Sequence, residues 1–152
     1  MDVTFKPATP ADLDLLIEMM RGLYEHDRSP FDEAGARRGT LELLGDESLG
    51  RVLLINSGGE PAGYVVLTYG FSIEFHGRAA LVDELFVRPE FRGWGLGRRA
   101  LEFVAAECRA RGIRAVHLVV DHANARAQAV YRAFGFATHE RHVMTKWLDA
   151  TD

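Results

Sequence analysis

The sequence has little of several things, and each shortage closes off a class of function. Cys108 is its one cysteine, so no intramolecular disulfide can form, and metal centres built from several thiolates are excluded. Its position in a stretch of helical apolar periodicity reads as a small buried side chain rather than a reactive thiol. No apolar run approaches the ~18 residues that a membrane span needs. The opening Met1-Asp2-Val3-Thr4-Phe5-Lys6 lacks a basic stretch leading into an apolar one. It does not read as a secretory signal, and the cytoplasm is the expected compartment. Positive charge is not in excess: 18 Lys and Arg stand against 22 Asp and Glu, a net charge of −4, which argues against a nucleic-acid binder. His26, His76, His117, His122, His139 and His142 show no metal-ligand spacing, and no metal is expected.

What is present fits one soluble domain over residues 1–152. The chain is 47% hydrophobic and 26% charged, near globular averages, so wholesale disorder is excluded, and its length suffices for one ordinary core. Charge is segregated along it. Residues 1–50 carry five basic side chains against eleven acidic ones, whereas residues 88–114 carry seven arginines against Glu90, Glu102 and Glu107. Solvated helix faces would explain this; so would one site favouring cations and another favouring anions.

The patterning predicts a strand over 3–6, then a helix through about residue 26, with Thr9 as cap and Pro10 at its first position. A second helix is expected from about Asp32 to Leu44. Strands follow over 51–56, about 62–75 and 81–87, the first two joined by Ser57-Gly58-Gly59-Glu60. A helix over 96–110 stops at Arg111-Gly112. A strand over 115–120, a helix over 124–134 ended by Gly135, and a strand over 142–147 complete the order β-α-α-β-β-β-α-β-α-β. This is an α+β (mixed α/β) domain with a central, mostly antiparallel sheet flanked by helices.

The segment from Leu85 to Arg99 is the most informative. A strand ends, Gly93, Gly95 and Gly97 arrive at alternate positions, and a helix begins. Glycines let a ligand approach the backbone, and the unpaired N–H groups of a helix start suit phosphate oxygens. Arg92, Arg98 and Arg99 could add charge-assisted bonds. A Walker-type loop is excluded because Gly97 is followed by Arg98-Arg99 rather than Lys-Ser/Thr. A dinucleotide fingerprint has a different third spacing, although Asp121, some twenty residues on, keeps that alternative open.

Arg92-Gly93-Trp94-Gly95-Leu96-Gly97 resembles the Arg/Gln-x-x-Gly-x-Gly/Ala acyl-CoA loop of the GNAT superfamily of N-acetyltransferases. Leu118-x-Val120-x-x-x-Asn124-x-x-Ala127-x-x-x-Tyr131-x-x-x-Gly135-Phe136 is similar to that superfamily's other cofactor-side motif. The order of elements agrees, so the resemblance spans nearly the whole chain. Val82-Asp83-Glu84-Leu85-Phe86-Val87 is similar to the acidic strand of polyamine acetyltransferases. The resemblance implies acetyl-CoA as cosubstrate, with Leu85, Phe86 and Val87 along the pantetheine arm. It also implies that Gly93 to Arg98 hold the pyrophosphate and that Asn124 and Tyr131 lie near the thioester.

Acyl transfer to an amine needs proton handling. An alkylammonium of pKa ~10.4 must lose a proton, about 4.6 kcal/mol uphill at pH 7, and a carboxylate or histidine can take it. Asp83 and Glu84 are the candidates. Regular alternation would place Asp83 with Leu81, Leu85 and Val87, and Glu84 with Val82 and Phe86, so one at most would face the acceptor. Glu84, nearer the cofactor stretch, is preferred. Glu74 could bind a cationic acceptor, and His76 and His122 are secondary bases. Tyr131, seven residues after Asn124 and so on the same helix side, could protonate the leaving thiolate. Backbone N–H groups at a splayed strand end near Phe86 and Val87 could hold the thioester oxygen. Trp94 could shield the phosphates.

The leading expectation is therefore an acetyl-CoA-dependent N-acetyltransferase. Its acceptor would be a small cationic primary amine (a polyamine or amino sugar), bound with acetyl-CoA in a ternary complex. A non-catalytic acyl-CoA-binding module and a dinucleotide-binding oxidoreductase are the alternatives. No nucleic acid or membrane partner is expected; a homodimer fits the superfamily.

Overall fold

The computed structural model describes residues 2–149. Its strands are β1 (Val3–Pro7), β2 (Gly50–Ser57), β3 (Glu60–Ser72), β4 (Gly77–Val87) and β5 (Ala115–Leu118). Its helices are α1 (Leu13–His26), α2 (Glu33–Leu44), α3 (Leu96–Ala110) and α4 (Ala125–Phe134). The strands form one sheet in the order β1-β2-β3-β4-β5. β1 to β4 pair antiparallel, and β5 returns parallel to β4 through the α3 crossover that a parallel pair requires. The fold class is the expected one.

Local chemistry sets the boundaries. Asp32 caps α2 by accepting from the Gly35 N–H at 3.1 Å, and the Thr9 N–H donates to the Asp12 carboxylate at 2.9 Å ahead of α1. Asn124 caps α4 by accepting from the Ala127 N–H at 3.0 Å, and Gly135 ends that helix in the left-handed conformation at φ 114°, which suits glycine.

Each face of the sheet carries its own core. On one, Leu53, Ile55, Val65, Leu67, Ala80 and Val82 pack with Leu96, Ala100, Leu101, Val104 and Cys108 of α3. On the other, Val52, Leu54, Tyr64, Val66 and Phe86 pack with Leu16, Ile17, Met19 and Met20 of α1. Cys108 is buried, as its periodicity implies. Among the described residues, no helix is long and apolar enough to cross a membrane.

Two expectations are corrected. The stretch 142–147 joins no ladder, and Val143, Met144 and Trp147 are exposed. Its mixed pattern of apolar and polar residues becomes a strand only if it finds an edge to pair with. Second, β4 is not regular. Val82 pairs with Leu67 and Glu84 with the adjacent Val66, so Asp83 is an extra residue, a β-bulge. The bulge breaks the expected alternation at Val82, which joins Leu85 and Val87 on the α3 side, while Phe86 lies under α1. Glu84 thereby shares the α1 side rather than the face of Val82.

Candidate active site

The site follows from where two strands part. β4 and β5 pair only from Ala79 with Ala115 to Val82 with Leu118, while β4 runs on to Val87. Among the described residues the outer edge of β4 has no strand partner beyond Val82, and a cleft of about 1050 Å³ opens there. That volume is at the upper end of ordinary small-molecule sites. Leu85, Phe86 and Val87 line one wall, and Val119, Val120, Asn124 and Tyr131 the other. The splay expected near Phe86 and Val87 thus begins earlier, at the bulge.

The glycine loop closes one end. Gly93 and Gly95 have φ of 86° and 78°, values that a side chain would strain. A Cβ added at Gly93, Gly95 or Gly97 would meet no protein atom within 4 Å. The loop therefore needs glycine for its turn and leaves open space above its backbone. Gly95 is the N-cap of α3, whose first N–H groups are unpaired within the helix and carry its positive dipole end. Arg92, Leu96, Arg98 and Arg126 also line the cleft. The Arg92 Nε donates to the Val87 carbonyl at 2.8 Å, which ties the loop to the end of β4. Arg98 pairs with Glu102 at 3.3 Å and lies over the Phe134 ring. An anionic, phosphate-bearing group of extended shape fits this end. Trp94 is exposed and, like Arg99, does not line the cleft.

The other end is acidic. Asp83, Glu84 and Asp27 line it, with His26 and Ser29. Asp83 is exposed to the cleft and accepts no hydrogen bond among the described residues. Desolvation by the cleft walls raises its pKa, because low-dielectric surroundings disfavour the charged form. Glu84 differs. Its Oε2 accepts from the Tyr24 hydroxyl and its Oε1 from the Tyr64 hydroxyl, each at 2.7 Å. Burial raises its pKa, and the two phenol bonds oppose that rise. Both acids thus reach the cleft, because the bulge frees them from strict alternation. Of these two adjacent acids, only Asp83 has a carboxylate with no hydrogen bond among the described residues.

Tyr131 faces the gap from α4, with its ring edge-on to Phe136 at 6.0 Å. Its hydroxyl makes no hydrogen bond to the described protein, and burial followed by the Asp27 charge raises its pKa. A proton-bearing phenol therefore stands on the β5 wall and a carboxylate on the β4 wall. Three candidates fall elsewhere. Glu74 is held by Arg141 in a bidentate pair, both bonds 2.6 Å, and Glu74, His76 and His122 are absent from the cleft lining. Asp27 and Arg126, which line the cleft, and Tyr24 and Tyr64, which bond Glu84, are neighbours of the site that sequence reasoning missed. The acidic excess of residues 1–50 was the one signal pointing toward Asp27.

The architecture has known counterparts. The family model for the acetyltransferase (GNAT) family matches residues 16–136, and this chain belongs to that family. The chain is 34% identical over 86 residues to thialysine N-epsilon-acetyltransferase of Bos taurus, an alignment covering 54% of this chain and 51% of that protein. It is 32% identical over 127 residues to an uncharacterized N-acetyltransferase of Archaeoglobus fulgidus, covering 80% and 86% respectively. Among solved structures, the integron cassette protein HFX_CASS3 from the Cole Harbour Salt Marsh metagenome superposes with a TM-score of 0.82 at 35% identity. That match covers 97% of this chain and 91% of the other. The chain spans about half the length of the bovine relative.

Proposed function

We propose that this chain is an acetyl-CoA-dependent N-acetyltransferase for a small cationic primary amine, with both substrates bound together in the cleft. One observation carries the reading: β4 and β5 part at the bulge, with Asp83 on one side of the gap and Tyr131 on the other. Gly93 to Arg98 and Arg92 would hold the pyrophosphate. The free edge of β4 along Leu85 to Val87, with Asn124 opposite, would receive the pantetheine arm. Two solved neighbours carry such ligands: a Clostridium acetobutylicum acetyltransferase with acetyl-CoA and an aminoglycoside N-acetyltransferase with CoA.

Acetyl-CoA supplies the activated acetyl group as a thioester. Asp83 takes the proton that the ammonium must lose, directly or through one water. This reverses the preference for Glu84, whose two oxygens are already bonded. The raised pKa of Asp83 makes it a better base than an ordinary aspartate. Tyr131 delivers a proton to the departing thiolate. Its raised pKa makes it a weaker acid than a free phenol, so transfer is concerted with C–S cleavage, which avoids a free thiolate, and the tyrosinate left behind is reprotonated from solvent. Asp27, Asp83 and Glu84 together attract a cationic acceptor.

Thermal stability with acetyl-CoA, and with NAD in parallel, is the first test. A ligand at a hundred times its Kd stabilises by about 2.7 kcal/mol, and each 1 kcal/mol moves Tm by roughly 2–4 °C at this size. A shift of several degrees with acetyl-CoA alone is expected; a shift with NAD alone would overturn the reading of the glycine loop. In an amine panel, Asp83→Asn and Tyr131→Phe are each expected to lower kcat by about 10²–10⁴-fold. Full turnover by either variant removes that residue from the proton path.

A further inference from the structure

Glu84 is the most heavily bonded acid in the cleft, and the proton path above leaves it without a part. We propose that Tyr24, Glu84 and Tyr64 form a positioning clamp that fixes the end of α1, and Asp27 with it, against β4 at the acceptor end. This rests on the acyltransfer reading of the site.

Three elements meet in the clamp. Tyr24 comes from α1, Tyr64 from β3 and Glu84 from β4, and each carboxylate oxygen receives one phenol at 2.7 Å. An ionised carboxylate only accepts, and both partners donate, so the arrangement is satisfied while Glu84 is charged. A proton on Glu84 would weaken the phenol bond to the oxygen that received it. The anchor is rigid: Tyr64 is fully buried, its ring 6.1 Å from that of Phe86, and Tyr24 packs on Phe31 at 5.0 Å. A close approach of α1 to β4 accompanies the clamp. A Cβ on Gly22 would lie 3.0 Å from the Phe86 ring, so the helix reaches this depth by dispensing with a side chain there.

Placement gives the clamp its consequence. Tyr24 lies one turn before Asp27, and Leu23, His26, Asp27 and Ser29 line the acceptor end. The groups whose charges or hydrogen bonds act on Glu84 are Tyr24 and Asp27 from α1 and its end, Tyr64 from β3, and Asp83 from its own strand. Among the described residues no cation pairs with it. Glu84 keeps the α1 side, where the two phenols reach it, and the bulge sets Asp83 apart as the unpaired neighbour. The two adjacent acids have therefore divided roles: one holds the wall, and the other meets the substrate.

Tyr24→Phe tests this because it keeps the ring on Phe31 and deletes only the hydroxyl. The expected result is an amine KM raised about tenfold, as for loss of one charge-assisted bond, with kcat little changed and the KM for acetyl-CoA unmoved. The acidic limb of kcat/KM moves to higher pH, since Glu84 loses a bond that favours its charged form. Glu84→Gln is expected to lose less than about tenfold in kcat, against about a hundredfold or more for Asp83→Asn. An amine KM and pH limb unchanged in Tyr24→Phe would overturn the clamp, as would a kcat loss in Glu84→Gln equal to that of Asp83→Asn. A carbon NMR titration of the Glu84 carboxyl, assigned with Glu84→Gln, needs no turnover: Tyr24→Phe is expected to move its midpoint upward, and an unmoved midpoint overturns the proposal. If the protein binds acetyl-CoA but acetylates no amine, the catalytic reading fails while this titration still decides the clamp.

Discussion

The wall of the cleft made by β4, α1 and α3 is packed from both faces of the sheet, whereas the wall made by β5 and α4 is not. Ala79, Ala80, Val82 and Phe86 of β4 are buried between two cores. Among the described residues beyond Ile113, none is buried. β5 has four residues and one strand partner, and Val119, where it leaves the sheet, is exposed. Few buried contacts mean a low cost of local opening. The wall with Asp83 is therefore set by folding, and the wall with Tyr131 is set in part by what fills the gap. The proposed acid and base therefore stand on parts of the molecule that differ in stiffness.

The strongest way to break that contrast is to spoil the stiff wall. Gly63 on β3 faces Phe86 so closely that a Cβ would lie 2.0 Å from the Phe86 carbonyl oxygen, and backbone cannot step aside as a side chain can. Gly63→Ala is expected to cost about 3 kcal/mol or more in urea unfolding. A loss under about 1 kcal/mol would show that β3 and β4 yield there, and the contrast between the walls would be lost. A gentler test sharpens the contrast. Saturating acetyl-CoA should raise amide-exchange protection in residues 115–134 by more than in 50–67, within the roughly 2.7 kcal/mol available at a hundred times Kd. Equal gains in both segments would mean that the walls respond as one body.

The smallest expected effect concerns Asp83 itself. Its folded pKa is raised, so the native state holds its proton to higher pH than the unfolded chain does. Stability from that proton is present below the usual aspartate range and is lost as pH rises through the folded value. Asp83→Asn should therefore be at least as stable as the parent at pH 7, by no more than a few tenths of a kcal/mol since the carboxylate faces open solvent. The difference should vanish toward pH 3. A variant less stable than the parent at pH 7 would mean that Asp83 supports the fold.

Much of this could be read in the sequence where the signal is local. The glycine loop, the ends of α3, and the pairing of Asn124 with Tyr131 on one helix side depend on residues a few positions apart. The clamp was not legible, because Tyr24 and Glu84 are sixty residues apart and no periodicity links them. The bulge was not legible for a different reason: it is a property of two strands in register, and alternation in β4 alone looks regular. From that one residue followed the mistaken grouping of Val82 with Glu84 and Phe86. The stretch 142–147 shows the same limit, since a strand is defined by a partner as well as by its own residues.

The bulge has a consequence for how β4 tolerates change. With Asp83 removed, Val82 and Glu84 would become neighbours on opposite faces, and Leu85, Phe86 and Val87 would keep the sides they now occupy. Residue 83 is thus a position that neither core requires. It is a spare place in the weave, exposed where the strands separate, and its chemistry can be exchanged with little debt to folding. A library confined to this position would vary what the cleft accepts while leaving both cores intact.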